Sequence, residues 1–127
     1  MPSEARARRV GERIQEELAD ILLRQTSDPR LNSITVTGVD VDRELAFATI
    51  YISATDGDER EAEVLQGLDS ARGFLRSQLA ARIQLRTFPQ LRFRWDVTQK
   101  RAARIEELLD QIRNEKDDMS NGEPGEG

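Results

Sequence analysis

One apolar stripe, between residues 64 and 83, constrains the fold of this chain more than any other feature. Its members recur every three or four positions, which is the spacing of one face of an α-helix: Val64, Leu68, Ala71, Leu75, Leu79 and Ile83. The stripe passes Gly73 without a change of phase, although glycine within a helix costs roughly 0.5–1 kcal/mol relative to alanine. The pattern therefore predicts either one long helix with a bend or two helices that meet at a tight corner.

The segments around this stripe predict two further helices and three strands. The first helix should end near Pro29, and the last begins after the third strand. Alternating apolar and polar residues predict strands in ITVTGVDV, LAFATIYIS and LRFRWDV, with a β-bulge at Gly38 where the alternation slips by one residue. In the third strand, Phe93 and Trp95 should face the core, while Arg92 and Arg94 face outward.

The element order is therefore α-β-β-α(kink)α-β-α, which predicts an α+β fold of two layers with the helices on one face of a three-stranded sheet. We expect a single domain over residues 1–113. The acidic segment 114–127 lacks apolar periodicity and is expected to be a disordered tail.

Two absences from the composition limit the chemistry. The chain contains neither Cys nor His, which excludes thiolate and imidazole metal sites and the usual nucleophile–base pairs. The acidic residues lie on predicted loops and exposed helix faces rather than in a cluster, which argues against a carboxylate-dependent nuclease. We therefore expect no catalytic residue, no metal and no cofactor. No signal-peptide core or transmembrane span is present, so we expect a cytoplasmic protein that does not contact the membrane.

The charge distribution points to a polyanionic partner, although the net charge is −5. Residues 72–104 contain nine Lys or Arg and only one acid, Asp96, whereas the tail is acidic. We identify these cations as candidate RNA-binding residues, and we favour Arg72 and Arg76 because they lie one helical turn apart beside the kink. Arg6, Arg8 and Arg9 are expected to form a flexible arm before the first helix. The full set is Arg6, Arg8, Arg9, Arg72, Arg76, Arg82, Arg86, Arg92, Arg94, Lys100, Arg101 and Arg104.

Four strings of the sequence resemble the ribosome-binding factor A family of bacterial small-subunit assembly factors. They are RVGERIQEELADIL, DPRL, ITVTGVDVDRELAFATIYIS and ARGFLRSQLAARIQLRTFPQLRFRWD, and together they cover most of residues 9–96. The resemblance implies a type II KH-like fold in which an Ala-x-Gly kink, here Ala71-Arg72-Gly73, replaces the usual Gly-x-x-Gly loop. It also implies that Gly73 contributes to RNA binding by allowing close approach of the backbone.

The resemblance further implies a function without catalysis. It predicts a monomer that binds the immature 30S subunit and its 16S rRNA, promotes late maturation and 5′-end processing, supports growth in the cold, and is linked to assembly GTPases. Because a Gly-x-x-Gly loop clamps single-stranded backbone, its absence favours binding to folded RNA through phosphates and shape. The residues alone also permit a protein-interaction module whose basic face binds an acidic protein.

Overall fold

The computed structural model describes the backbone of residues 3–121 and the side chains of residues 3–98 and 104–116. The helices are α1 (Glu4–Arg24), α2 (Glu61–Ser70), α3 (Arg72–Arg82) and α4 (Thr98–Asn121); the strands are β1 (Ile34–Val41), β2 (Phe47–Ala54) and β3 (Gln90–Trp95). Two short 3-10 turns are also present: Pro29–Leu31, called the 3-10 turn below, precedes β1, and Asp58–Arg60 precedes α2. The predicted element order is confirmed.

The helix α1 begins earlier than its apolar stripe indicated. The Ser3 side chain caps the helix by accepting a hydrogen bond from the Arg6 backbone N–H, and Ala7 is buried one turn before Val10. Arg6, Arg8 and Arg9 therefore lie within α1, and the prediction of a flexible arm before the first helix is wrong. Ser3, a residue typical of helix N-caps, was the available sequence signal for this earlier start. The first turn was missed because Ala7, its buried residue, is too small to stand out as part of the apolar stripe.

The sheet has the order β1-β2-β3, with β1 antiparallel and β3 parallel to β2. The pairing of β1 with β2 shifts register between Val36 and Gly38, which confirms the predicted bulge. The parallel pairing of β2 with β3 requires a long crossover connection, and α2 and α3 supply it.

The core lies between the sheet and the helices α1, α2 and α3. From β2 it takes Ala48, Ile50 and Ile52, and from β3 it takes Leu91, Phe93 and Trp95, all buried. The prediction that Phe93 and Trp95 are core residues is confirmed. The Trp95 indole N–H also donates a 2.9 Å hydrogen bond to Asp58, so this acidic residue helps to hold the β2–α2 connection against β3.

The kink is a hinge of one residue, Ala71, which ends α2 and precedes α3. Ala71 has φ −92° and ψ 1°, outside the helical region, and its carbonyl accepts from the Leu75 N–H at 2.8 Å. The structure thus selects two helices that meet at a corner. Gly73 lies in the first exposed turn of α3, and a Cβ there would meet no atom of the described chain within 4 Å. No packing among the described residues requires this glycine.

Two other glycines make the close approaches of the fold. A Cβ on Gly11 would lie 2.9 Å from the Val39 carbonyl oxygen, so this glycine lets α1 pack directly on β1. A Cβ on Gly67 would lie 3.0 Å from the Cβ of Arg30, which brings α2 against the 3-10 turn. Neither role was visible in the sequence, because Val39 lies 28 residues after Gly11 and Arg30 lies 37 residues before Gly67.

The C-terminal helix differs from the prediction. It continues to Asn121, so the prediction of disorder is wrong for residues 114–121, while 122–127 lie outside the described residues. Charged residues such as Glu and Lys are good helix formers, and acidic composition alone does not end a helix. The chain divides into two units, the first ending at Asp96 and the second beginning at Val97, which is earlier than the predicted boundary at 113.

Within the described residues, no helix is both long enough and apolar enough to cross a lipid bilayer.

Candidate nucleic-acid interface

The fold divides the predicted RNA-binding arginines into those that it uses for its own packing and those that remain exposed. An arginine whose donors are occupied by carboxylates or carbonyl oxygens of the same chain must break those hydrogen bonds to bind a phosphate. Local partners are therefore the first criterion for a candidate contact.

Arg82 belongs to the first group. Its guanidinium lies 2.9 Å from a Glu17 oxygen and 2.8 Å from an Asp20 oxygen, and the side chain is only 24% exposed. Asp20 and Glu17, both on α1, raise the pKa of this guanidinium above its ordinary value. The backbone carbonyl of Arg82 also accepts a 3.5 Å hydrogen bond from Arg13. Arg82 therefore joins the end of α3 to α1.

Arg76, one of the two residues favoured by the sequence, also supports the fold. Its Nε and Nη2 donate to the carbonyl oxygens of Pro89 and Phe88, at 3.1 and 2.5 Å. These two residues are buried immediately before β3, where their carbonyl groups need a donor. Arg76 thereby fixes the start of β3 to α3, and it does not extend from the kink beside Arg72.

Arg72 remains at the hinge. Its side chain is 46% exposed, pairs with Asp69 on α2, and lies 6.0 Å from the centre of the Phe93 ring. It is the first residue of α3, where backbone N–H groups and the helix dipole favour an anion. With no side chain at Gly73 and no neighbour near it, this turn of backbone is open to a large ligand.

A second group of cations lines a groove between the start of α1 and the end of α3. The groove has a volume of about 400 Å³ and is lined by Arg6, Arg9, Val10, Arg13, Ile83, Gln84 and Leu85. The side chains of Arg6 and Arg9 make no hydrogen bond or ion pair with the described residues. Arg86, which directly follows the groove residues, is exposed and equally unpaired within the described chain.

The remaining candidates lie elsewhere. Arg92 and Arg94 are exposed on the sheet face opposite α1, α2 and α3, and Arg8 is exposed on α1. Arg104 is exposed on α4. Lys100 and Arg101 belong to the backbone of α4, but their side chains lie outside the described residues. Within residues 3–96, the candidate interface that meets this criterion therefore comprises Arg72 at the hinge and Arg6 and Arg9 in the groove, whereas Arg13 lines the groove but pairs with Glu17 and with the Arg82 carbonyl.

Two arginines that contribute to this region were not among the candidates predicted from the sequence: Arg13, which lines the groove, and Arg60, which supports the fold. Arg13 lines the groove, where its position on α1 one turn after Arg9 was the available signal. Arg60 is 14% exposed and donates to the carbonyl oxygens of Asn32 and Arg30 at 2.5 and 2.9 Å. Glu63 and Asp56 raise the pKa of its guanidinium above the ordinary value, so Arg60 holds the 3-10 turn against α2.

The chemistry available at this surface is electrostatic. In the described part of the chain, no three acidic side chains gather to hold a metal ion. Guanidinium groups bind phosphate oxygens with charge-assisted, often bidentate hydrogen bonds. The exposed arginines are therefore suited to a phosphate backbone.

Comparison with known proteins identifies relatives of this chain in sequence and in structure. The family model for ribosome-binding factor A matches residues 6–109. Ribosome-binding factor A of Thioalkalivibrio sulfidiphilus is 41% identical over 106 residues, which are 84% of this chain and 82% of the relative. The crystal structure of ribosome-binding factor A from Thermus thermophilus superposes with a TM-score of 0.63 at 26% identity, covering 70% of this chain and 93% of that one.

A second Thermus thermophilus structure is a homology model of ribosome-binding factor A fitted into a cryo-EM map of a 30S complex. It has a TM-score of 0.57 and 27% identity, and covers 68% of this chain and 92% of that one. These neighbours have a KH-like fold, which confirms the predicted fold class. The family model and the relative each span most of the chain, and we conclude that the chain belongs to the ribosome-binding factor A family.

Proposed function

We propose that this chain is a non-catalytic assembly factor that binds the immature 30S ribosomal subunit through its 16S rRNA. Family membership supports this function, as does a structural neighbour that has been fitted into a 30S complex. The observation that carries the proposal is that Arg6, Arg9 and Arg72 stay exposed on the three-helix layer, while Arg76 and Arg82 are occupied by packing.

Phosphate groups of folded RNA are the chemistry that these residues fit. Arg72 carries a pair with Asp69, but that pair is exposed, and exposed ion pairs are worth at most about 1 kcal/mol. A phosphate at the start of α3 would gain from Arg72 and from the helix dipole together. Breaking the Arg72–Asp69 ion pair therefore costs little free energy compared with what the bound phosphate gains.

The hinge favours shape recognition over reading of a short single strand on this layer. A Gly-x-x-Gly loop follows the backbone of about four nucleotides. Here the corresponding corner is the single residue Ala71, hydrogen-bonded on both sides, and it has no such loop to clamp a strand. The helices present their cations at fixed positions, which suits the phosphates of a folded RNA.

The proposed biological role is the one that the resemblance to the family implies. The factor promotes late maturation of the small subunit and 5′-end processing of its rRNA, including in the cold, and acts in the cytoplasm as a monomer with a functional link to assembly GTPases.

The test is co-sedimentation of the purified protein with immature and mature small subunits at low and moderate salt. We expect salt-sensitive co-migration with immature subunits that is weakened by Arg72→Gln and by Arg6→Gln/Arg9→Gln. Arg24→Gln is the matched control, because Arg24 is exposed on the far end of α1 and pairs with Asp20.

Two outcomes would contradict the proposal. Absence of co-migration at low salt would remove the subunit as the target. Co-migration that persists after digestion of the exposed rRNA would identify an acidic protein as the partner, because counterion release from phosphates would no longer contribute.

A further inference from the structure

The sheet face opposite the helices carries an unusual combination of aromatic and cationic side chains. Within residues 3–96, the helices cover the face of Ala48, Ile50 and Ile52, whereas the alternate residues of β2 and β3 are exposed or half-buried. These outward residues are Phe47, Thr49, Tyr51, Arg92 and Arg94.

The pair Phe47 and Arg92 is already arranged for stacking. The guanidinium carbon of Arg92 lies 3.7 Å from the centre of the Phe47 ring, while Phe47 remains 39% exposed. This contact places the guanidinium group over the ring, and both residues remain exposed on this face of the sheet. A planar cation fixed in this way can stack against a nucleobase and donate from its edge to a phosphate.

A second aromatic and cationic pair lies beside the first. The parallel register places Arg94 next to Tyr51, two residues along the strands from the Thr49–Arg92 pair. Two residues correspond to about 6.6 Å along a strand. Thr49 lies between Phe47 and Tyr51 on this face and keeps the surface polar, which disfavours an apolar protein partner.

The geometry points to a platform on this face that stacks two adjacent unpaired bases of single-stranded RNA, one on Arg92 backed by Phe47 and one on Tyr51 beside Arg94. This inference rests on the proposed RNA-binding function and adds a second contact surface to it. The helix layer binds folded RNA through phosphates, and the sheet binds an unpaired segment through its bases. Asp40 on β1 is the register partner of Thr49 on β2, and its carboxylate places a negative charge at the β1 side of this platform.

The experiment is titration of an unstructured RNA octamer that carries 2-aminopurine, read by fluorescence quenching, in parallel with small-subunit co-sedimentation. The full-length protein should quench the probe. Base stacking contributes on the order of a tenfold change in affinity per base, so Phe47→Leu, Tyr51→Leu and Arg92→Lys should each weaken octamer binding roughly tenfold.

The variants separate stacking from charge and from folding. Arg92→Lys keeps the positive charge and loses only the planar guanidinium group. The salt dependence of octamer binding should therefore stay unchanged, while the quenching of 2-aminopurine fluorescence falls. Phe74→Leu is the matched control, because Phe74 is an aromatic residue of similar exposure (45%) on α3, and it should leave quenching unchanged. Asp40→Asn should strengthen octamer binding, since it removes the nearby negative charge. Thermal unfolding of each variant verifies that it is folded.

Failure of the inference is distinguishable from failure of the proposed function. Normal subunit binding without quenching, or quenching equal in Arg92→Lys, Phe47→Leu and the wild type, would overturn the platform and leave the assembly role intact. Loss of quenching in Phe74→Leu alone would place the stacking surface on the helix layer and overturn it as well. Absence of binding to both the octamer and the subunit would contradict the proposed function itself.

Discussion

The Nε of Arg76 donates a 3.1 Å hydrogen bond to the carbonyl oxygen of Pro89, the residue that immediately precedes β3. The sequence placed Arg76 and Arg72 together at the kink as equivalent candidates. The structure gives them different roles, because Arg76 satisfies buried backbone while Arg72 remains exposed.

This difference predicts opposite effects of the same substitution. Arg76→Gln should lower the free energy of unfolding by about 1–3 kcal/mol, because it leaves buried carbonyl oxygens without a donor. Arg72→Gln should change stability by less than about 1 kcal/mol and weaken subunit binding instead. Chemical denaturation and subunit binding of both variants would measure this. Equal stability losses would show that Arg72 is also a structural residue.

The glycines give a second prediction. Gly11→Ala should destabilise the protein by about 1–3 kcal/mol, because its Cβ would lie 2.9 Å from the Val39 carbonyl oxygen, which belongs to a sheet and cannot move freely. Gly73→Ala should stabilise it by about 0.5–1 kcal/mol, since alanine is the better helix former and the space is open. Denaturant unfolding checks both. If Gly73→Ala also weakens subunit binding, the backbone there approaches the rRNA.

Acid should destabilise the fold in a narrow range of pH. Hydrogen bonds from Arg82 and Arg24 lower the pKa of Asp20, and the Phe47 backbone N–H lowers that of Asp42. A carboxylate with a lowered folded-state pKa stabilises the fold above its unfolded pKa of about 3.9, and this stability is lost as the pH falls through the folded value.

The melting temperature should therefore be nearly constant from about pH 5.5 to pH 8, where the chain has no His to titrate, and should fall below about pH 4. Asp20→Asn should melt at a lower temperature at neutral pH and show a smaller further decrease in acid. A decline centred near pH 6.5 would mean that other groups control stability.

Removal of residues 114–127 should leave the first unit folded. Every buried hydrophobic residue of the described chain lies between Ala7 and Trp95, so the described side chains that the truncation removes, residues 114–116, contribute nothing to the core. The deleted segment contains five acids and one Lys, and its loss should modestly strengthen binding to RNA by reducing repulsion. Circular dichroism and a subunit binding assay test this. Loss of the sheet signal on truncation would contradict the division into two units.

Local patterns in the sequence predicted the elements of the fold well. The alternation in β1 predicted the bulge at Gly38, and that in β3 predicted its inner face, because strand periodicity depends only on neighbouring residues. The apolar stripe through Gly73 predicted two helices or a bend for the same reason. The start of α1 and the end of α4 were misplaced because helix termini depend on capping and on charged residues that carry no apolar signal.

The functional surface was predicted only in part, because partners of arginine are set by tertiary contacts. Arg82 lies 62 and 65 residues from Asp20 and Glu17, and no local pattern links them. Arg76 binds backbone carbonyl oxygens, which every residue possesses. Charge density along the chain therefore identified a basic protein surface, but only the packing distinguished the arginines that are free to bind a ligand.

The most direct test of the account is the salt dependence of binding to immature small subunits. The wild type is compared with the variant Arg6→Gln/Arg9→Gln/Arg72→Gln and with the Arg24→Gln control. Each phosphate contact contributes about 0.7–0.9 to the slope of log affinity against log salt, so the triple variant should bind more weakly with a slope reduced by about 2. A slope equal to that of the wild type would contradict the claim that these exposed arginines bind rRNA phosphates.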